Sequence, residues 1–377
     1  MANINKFNLI CTLSNRSDRS SRYRFSNNFI SAKFAKFKKQ LKLQASKLFP
    51  VNDKGGAYEQ LSEHLRIVRR VNKYQYVAAG CSKNGFAAAT VNAKTMVVED
   101  KCVETGYTIH NIAAYNDILV VADSVQKIIV TSIASQIKDC ITLSDYQMSN
   151  VTESSNGLNC GLNMDIDTHK PHTHMAYFMS DQNKLVRLNL KHINPLSTKA
   201  TKEKLEIKEI YHSKTHGIFY VAYRNVYVMA GNMLSRINKF SLAAKEYDQK
   251  IECGKITRIV GDDEYIYAMS DATMHLLRIG QNTVISLDSI MSKKFISPQT
   301  RTMIPCRFGG VSFVLRFHEA PEVIAVYASF RNRLHIVLEQ KMEPTSFRVL
   351  GAMYDQYTES IIISQERRLS QSFKLIF

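Results

Sequence analysis

The sequence predicts a mainly β protein of repeated antiparallel sheets, preceded by a basic segment of different texture. Three observations carry this reading. "ILVVAD" and "KIIVTSI", between Ile118 and Ile133, are rich in β-branched residues and alternate in character, and the short polar stretch between them allows only a hairpin. Hairpin texture of this kind recurs down the chain at a roughly constant interval. Charge is also uneven: residues 1–52 carry eleven Lys or Arg against the single acid Asp18, a net of +10, leaving 39 bases and 32 acids for the rest.

The first elements belong to the basic segment. "KFNLICTL" (6–13) alternates at Phe7, Leu9, Cys11 and Leu13 and reads as a strand able to pair with the end of the chain; the segment just before Tyr76 is the alternative. "SNRSDRSSRYRFSNN" is Arg- and Ser-rich without an apolar period and has little surface to bury. Ile30, Phe34, Phe37, Leu41, Ala45 and Leu48 then recur at spacings of three and four, interleaved with Lys33, Lys36, Lys38, Lys39, Lys42 and Lys47. That pattern predicts a basic amphipathic helix from about Phe29 to Phe49, ended by Pro50. Leu61, Leu65 and Val68 predict a second helix. Residues 1–75 are therefore expected to form a basic helical arm. Its composition fits three uses: packing on its own domain, anchoring on an acidic surface or RNA, or a mitochondrial presequence.

From Tyr76 the pattern becomes strand-like. Similar units occur at 76–91, 116–133, 175–190, 218–231, 265–279, 323–338 and 360–377, marked by polar turn residues Asn84, Asp123, Asp181, Asn225, Asp271, Asn332 and Glu366. The markers are 39, 58, 44, 46, 61 and 34 residues apart, a mean of 47, which accommodates one four-stranded sheet with its turns. Asp or Asn at a hairpin tip bonds the local backbone and tolerates left-handed conformations. On spacing and on texture such as "YAMSDATMHLLRI", residues 76–377 resemble the β-propeller superfamily, most nearly divergent WD-repeat-like proteins. The expectation is an about seven-bladed β-propeller of four-stranded antiparallel sheets with a basic N-terminal helical extension; a β-sandwich or a pair of smaller β domains is the rival. Val120, Val130, Phe178, Leu188, Tyr267 and Leu277 are expected to be buried. The chain has no Trp, and neither the "GH...WD" signature nor a kelch-type double glycine is present.

Chemistry-bearing motifs are sparse. G-x-S-x-G, G-x-x-x-x-G-K, G-x-G-x-x-G after a strand and H-E-x-x-H do not occur. Seven scattered cysteines without a C-x-x-C pair suggest buried thiols in a reducing compartment rather than a disulfide framework. Asp262 and Asp263 precede a strand and read as a turn. One constellation has ligand chemistry: "DIDTHKPHTH" brings Asp165, Asp167, His169, His172 and His174 close along the chain, against the alternative of a solvated inter-strand loop.

These readings favour a non-enzymatic scaffold or adaptor without a cofactor, an intracellular subunit of a larger assembly, docked through its basic arm to protein partners. The alternative is an RNA-associated subunit in which Arg16, Arg19, Arg22 and Arg24, interleaved with Tyr23 and Phe25, contact phosphates and bases while the lysines of the arm add charge. A metal-dependent hydrolase is a distant third. No apolar run reaches the roughly 20 residues of a membrane helix. The expected compartment is cytoplasmic or nuclear, with a mitochondrial location as the alternative.

Overall fold

The computed structural model describes residues 42–47, 65–70, 73–82, 85–94, 98–105, 109–115, 118–123, 127–133, 141–147, 164–166, 175–190, 206–215, 217–247, 251–270, 273–291, 300–308, 311–318, 323–330, 332–341, 349–355, 360–365 and 368–376. Among these, every regular element is a β-strand.

Strand β1 (Lys42–Lys47) comes first. The first sheet is β2 (Leu65–Arg70), β3 (Gln75–Ser82), β4 (Gly85–Asn92) and β5 (Val98–Thr105). A second follows in β6 (Ile109–Tyr115), β7 (Ile118–Asp123), β8 (Lys127–Ser132) and β9 (Ile141–Gln147). The third comprises β10 (Met164–Ile166), β11 (Met175–Met179), β12 (Lys184–Asn189) and β13 (Glu206–His212). In the fourth lie β14 (Gly217–Val221), β15 (Asn225–Ala230), β16 (Met233–Asn238) and β17 (Ala244–Glu246). The fifth holds β18 (Ile256–Gly261), β19 (Tyr265–Ser270), β20 (Thr273–Ile279) and β21 (Val284–Met291). The sixth holds β22 (Thr300–Phe308), β23 (Val311–His318), β24 (Val323–Phe330) and β25 (Arg333–Lys341). The last is composite: β26 (Val349–Asp355), β27 (Ser360–Gln365) and β28 (Arg368–Ile376) continue the chain, and β1 completes the sheet.

Each sheet is a meander of sequential antiparallel neighbours. The first strand of each lies against the first strand of the next, from β2 through β6, β10, β14, β18 and β22 to β26, and β26 lies against β2. Adjacent sheets therefore pack face to face in a closed cycle. A bulge recurs near the start of these innermost strands, between Leu65 and Ile67, Ile109 and Asn111, Ile256 and Arg258, Thr300 and Thr302, and Val349 and Gly351. An extra residue at this position raises local twist where the strands crowd towards the middle of the ring.

The core lies between sheets. Tyr177, Met179 and Leu185 of the third meet Phe219, Val226, Val228 and Ile237 of the fourth. Tyr227, Met229 and Leu234 meet Ile259, Ile266 and Leu277 across the fourth and fifth. Val260, Tyr267 and Leu276 meet Val314 and Tyr327 across the fifth and sixth. All six residues expected to be buried, Val120, Val130, Phe178, Leu188, Tyr267 and Leu277, are buried.

Two expectations are corrected. Lys42–Lys47 and Leu65–Arg70 are strands, not parts of helices. "KLQASK" has little intrinsic strand preference; the β28 ladder overrides it, from Lys42 opposite Ile376 to Lys47 opposite Gln371. In "LRIVRR" the central Ile67 and Val68 favour the strand. The closing role expected of 6–13 thus falls to β1, whose Lys at each end suits an exposed edge. Residues 6–13 and the rest of the expected Phe29–Phe49 helix lie outside the described residues.

Successive residues of an edge strand alternate in pointing their N–H towards the neighbouring strand, so Gln44→Pro combined with Ala45→Pro removes at least one donor from the ladder. The expected loss is about 1–3 kcal/mol of stability, read as a lower thermal midpoint and faster proteolysis of β28. An unchanged midpoint would remove β1 from the closure.

Candidate interaction surface

The side chains of the third to sixth sheets are the most fully described, and at one end of the fourth and fifth sheets the turns are tied to one another. The β18–β19 turn, "DDE", is built by Asp262, whose Oδ1 accepts from the Glu264 and Tyr265 backbone N–H at 2.8 Å each. A side chain at Gly261 would strike the Tyr265 carbonyl, so glycine is required beside this turn. The turn leaves Asp263 free to reach the fourth sheet, where its carboxylate accepts from the Arg224 N–H and from Asn225 Nδ2, both at 2.8 Å. Tyr227 donates to the Asp263 carbonyl at 3.4 Å. Burial, then the nearby Asp263 carboxylate, pushes the Tyr227 phenol well above its ordinary value. Asp262 thus makes the turn that the sequence predicts, and Asp263 adds an inter-sheet clasp that it does not.

Further polar ties join neighbouring sheets. Tyr211 Oη donates to Glu246 at 2.8 Å and lies 2.8 Å from Ser235 Oγ, linking the third and fourth sheets. Lys245 donates to Asn282 and Tyr247 to the Gly280 carbonyl, linking the fourth and fifth. Asp288 accepts from the Leu334 N–H at 2.8 Å, linking the fifth and sixth.

The β16–β17 turn lies at the same end of the fourth sheet as the β14–β15 turn, and Lys239 N–H donates to the Arg224 carbonyl at 3.0 Å to join them. Asn238 Oδ1 accepts from Phe240 and Ser241 N–H at 2.9 and 3.0 Å, and its carbonyl accepts from Leu242 N–H at 2.9 Å. Arg187 of the third sheet donates to the Lys239 carbonyl at 3.4 Å while lying 3.7 Å from Glu206. Leu242 has a φ of 58°, where the other described positive-φ positions are Asn or Gly. A bulky residue there costs roughly 1–2 kcal/mol, offset by packing against the cluster between the third and fourth sheets. On these braced turns two aromatic rings are presented to solvent, Tyr223 at 51% and Phe240 at 64% exposure. Arg224 beside them is exposed. The topologically equivalent β2–β3 turn carries Tyr74, 69% exposed, with the Lys73 ammonium over its ring.

The sequence-predicted site residues fare differently. Lys42 is the first residue of β1. Arg16, Arg19, Arg22, Tyr23, Arg24, Lys33, Lys36, Lys38 and Lys39 lie outside the described residues, as do His169, His172 and His174, which fall between β10 and β11. Among the described residues no cluster of His, Cys, Asp or Glu has the makings of a metal site. Cys253 is a free, buried thiol whose pKa burial pushes up. Sequence reasoning missed Tyr223, Phe240 and the Asp263 clasp. Of these only "GDDE" carried a signal, two adjacent acids where one suffices for a turn.

No family model matches the sequence, and no curated protein matches it. Solved structures do match. The Myceliophteria thermophila Cps50 (Swd1) beta-propeller domain aligns at TM-score 0.58 and 8% identity, over 88% of this chain and 99% of that one. A chain of the mitotic checkpoint complex aligns at TM-score 0.54 and 8% identity over 96% and 98%. U3-55K aligns at TM-score 0.53 and 8% identity over 90% and 99%. The fold is a divergent β-propeller, as its resemblance implied.

Two predictions follow from the buried polar groups. Asp263→Ala leaves the Arg224 N–H and the buried Asn225 amide without their acceptor and should cost about 1–3 kcal/mol in chemical denaturation; Asp263→Glu, with its longer arm, should recover only part. His275 is buried, its Nε2 2.6 Å from Ser270 Oγ, and burial lowers its pKa below the ordinary 6.5. Below that value the unfolded chain takes up a proton that the folded one resists, so stability should fall with acidification at up to about 1.4 kcal/mol per pH unit. His275→Gln should flatten that slope; an unaltered slope would assign it to other groups.

Proposed function

We infer that this chain is a non-enzymatic seven-bladed propeller scaffold, an adaptor subunit of a larger intracellular assembly. The observation that carries this reading is the braced turn surface of the fourth and fifth sheets. Asp263 ties its turns sheet to sheet, and Tyr223 and Phe240 are exposed on them. Rigid exposed aromatics on a fold whose sheet faces are already packed are the ordinary makings of a protein interface. A structural neighbour that belongs to a complex, the mitotic checkpoint complex, supports the reading. Among the described residues no helix is long and apolar enough to cross a membrane.

In this reading the ring begins at Lys42, because β1 and β2 are strands of its sheets, and the basic arm is the chain before it. Its charge favours a second use, contact with RNA or another acidic surface, because nine of the eleven Lys and Arg of residues 1–52 precede Lys42 while Asp18 is the one acid. The arm joins the ring at Lys42, the first residue of the outermost strand of the seventh sheet.

Affinity purification of the tagged full chain, with and without ribonuclease, tests this proposal. Stoichiometric protein partners that survive ribonuclease are expected; partners seen only with intact RNA would replace the scaffold reading by the RNA-associated one. Deleting residues 1–28 should leave the thermal midpoint unchanged and weaken assembly. If Arg16, Arg19, Arg22 and Arg24 contact phosphates, the log-log salt slope of RNA binding should fall by roughly three to four units, and an unchanged slope would exclude them.

A further inference from the structure

We propose that the end of the ring at which the innermost strands begin binds a small anion bearing two or more phosphate groups, with Arg66 of β2 and Arg301 of β22 as its principal ligands. The proposal goes beyond the scaffold reading and does not rest on it. Each sheet has four antiparallel strands, so the chain returns to the same end before each innermost strand starts. In five of these strands the bulge falls on the second residue: Thr257 of β18, Arg301 of β22, Leu350 of β26, Arg66 of β2 and His110 of β6. These five belong to consecutive sheets, from the fifth through the closure to the second, and so share one level on one arc of the ring. The innermost strand β14 pairs along its whole length without a bulge, so packing in the ring does not by itself demand one. A bulge residue has no partner opposite it, and bulges are over-represented beside functional sites, where they re-aim a side chain. Thr257, whose side chain is described, is exposed although it belongs to an innermost strand.

Residue type and charge select the ligand. The chain has 30 Lys and 20 Arg, yet among the described residues the innermost strands carry six Arg and no Lys. Arginine's planar fork holds two phosphate oxygens at once, where a lysine ammonium is a point charge. The five strands of the arc hold one acid, Asp355, at the far end of β26, whose neighbours β2 and β22 carry Arg70 and Arg307 towards that same end. At the near end Leu350 stands between the strands of Arg66 and Arg301, so the intervening strand does not balance their charge. Asp123 of β7 lies opposite Ile109, beside His110, which leaves the two arginines as the positive centre. A ligand spanning them needs anionic groups on two sides, which a single carboxylate lacks. Glu319, Glu322 and Glu366 belong to connections between second and third strands, a strand further out at this end. A polynucleotide would have to cross that acidic rim; a compact anion at the axis does not.

Isothermal titration calorimetry of the full chain with sodium tripolyphosphate at fixed ionic strength tests this, with citrate and poly(U) RNA as parallel probes. Tripolyphosphate should bind in preference to citrate. Arg66→Gln and Arg301→Gln should each weaken it about tenfold or more, and Leu350→Asp, which places an acid between them, should abolish it. Arg70→Gln and Arg307→Gln make the same change in charge towards the other end of the same strands and should leave binding unchanged. Arg66→Lys keeps the charge without the fork; it should also bind more weakly, and it serves should Arg66→Gln disturb the fold, which circular dichroism checks for each variant. The proposal is overturned if tripolyphosphate does not bind, if citrate binds as tightly, or if Arg70→Gln and Arg307→Gln weaken it as much. It is equally overturned if poly(U) binds and is lost in Arg66→Gln and Arg301→Gln. Loss of tripolyphosphate in the combined Arg16→Gln, Arg19→Gln, Arg22→Gln and Arg24→Gln variant would assign the anion to the basic arm and overturn this site. None of these outcomes touches the protein partners that the scaffold reading expects.

Discussion

The ladder between β1 and β28 is the constraint on which the rest of the architecture depends. Sheets that pack only on their neighbours leave two apolar faces uncovered until the seventh meets the first, and the seventh is itself incomplete without residues 42–47. Closing a flexible loop of some 300 residues costs roughly 5 kcal/mol, from (3/2)RT ln n. Six paired residues, at about 1 kcal/mol per net hydrogen bond, only about balance that. The surplus comes from burying β2 against β26 and β27. Once intervening sheets have stacked, the two ends are already close and the entropic cost falls. Closure is therefore best placed late in folding, and stability is shared around the ring rather than held in one sheet.

The sheet-to-sheet contacts explain how a chain without tryptophan fills this architecture. Tyr177, Tyr227 and Tyr267 occupy the second strand of three consecutive sheets, each buried against a neighbouring sheet. A tyrosine supplies nearly the volume of a larger aromatic but brings a hydroxyl that needs a partner. Tyr227 meets that need at the Asp263 carbonyl, the residue whose carboxylate ties the adjoining turns. Packing and polar clasp are thus one device, which couples the hydrophobic interface to the geometry of the turns above it.

Much of this was legible in the sequence, and the exceptions share a cause. Strands from Tyr76 onward show as short apolar, β-branched runs because sheets such as the fourth and fifth are covered on both faces, as the nearly continuous burial of β15 and β19 shows, and that local signal suffices for residues such as Val120 and Leu277. The hairpin markers were less uniform than they looked. Asn225 opens the second strand of its sheet and Asn332 follows a third strand, while Asp181 and Asp271 stand between second and third strands. Mixing hairpin types made the intervals uneven without altering their number. Asn183 and Asn332 adopt the left-handed backbone that their chemistry allows, at φ of 60° and 59°. What stayed hidden was non-local. "KLQASK" is composed of residues that serve helices as well as strands, and its partner lies at the other end of the chain. Asp263 finds its acceptor role in the preceding sheet, and Phe240 is exposed only because Asn238 and Leu242 turn the backbone as they do.

The same geometry restricts where such a protein meets others. Sheet faces are covered by their neighbours, and inner strands by the ring, so among the described residues accessibility is concentrated in turns and outermost strands. Turns tolerate substitution because few of their side chains enter the core. Those of the fourth sheet are an exception: "NKFSLA" uses its asparagine as a cap and its leucine as a strained anchor, with the phenylalanine between them exposed. The basic segment enters at a different place, the outer edge of the seventh sheet at Lys42. Ties such as that of Asp263 to Arg224 and Asn225 mean that a change in one turn is felt in the adjoining sheet.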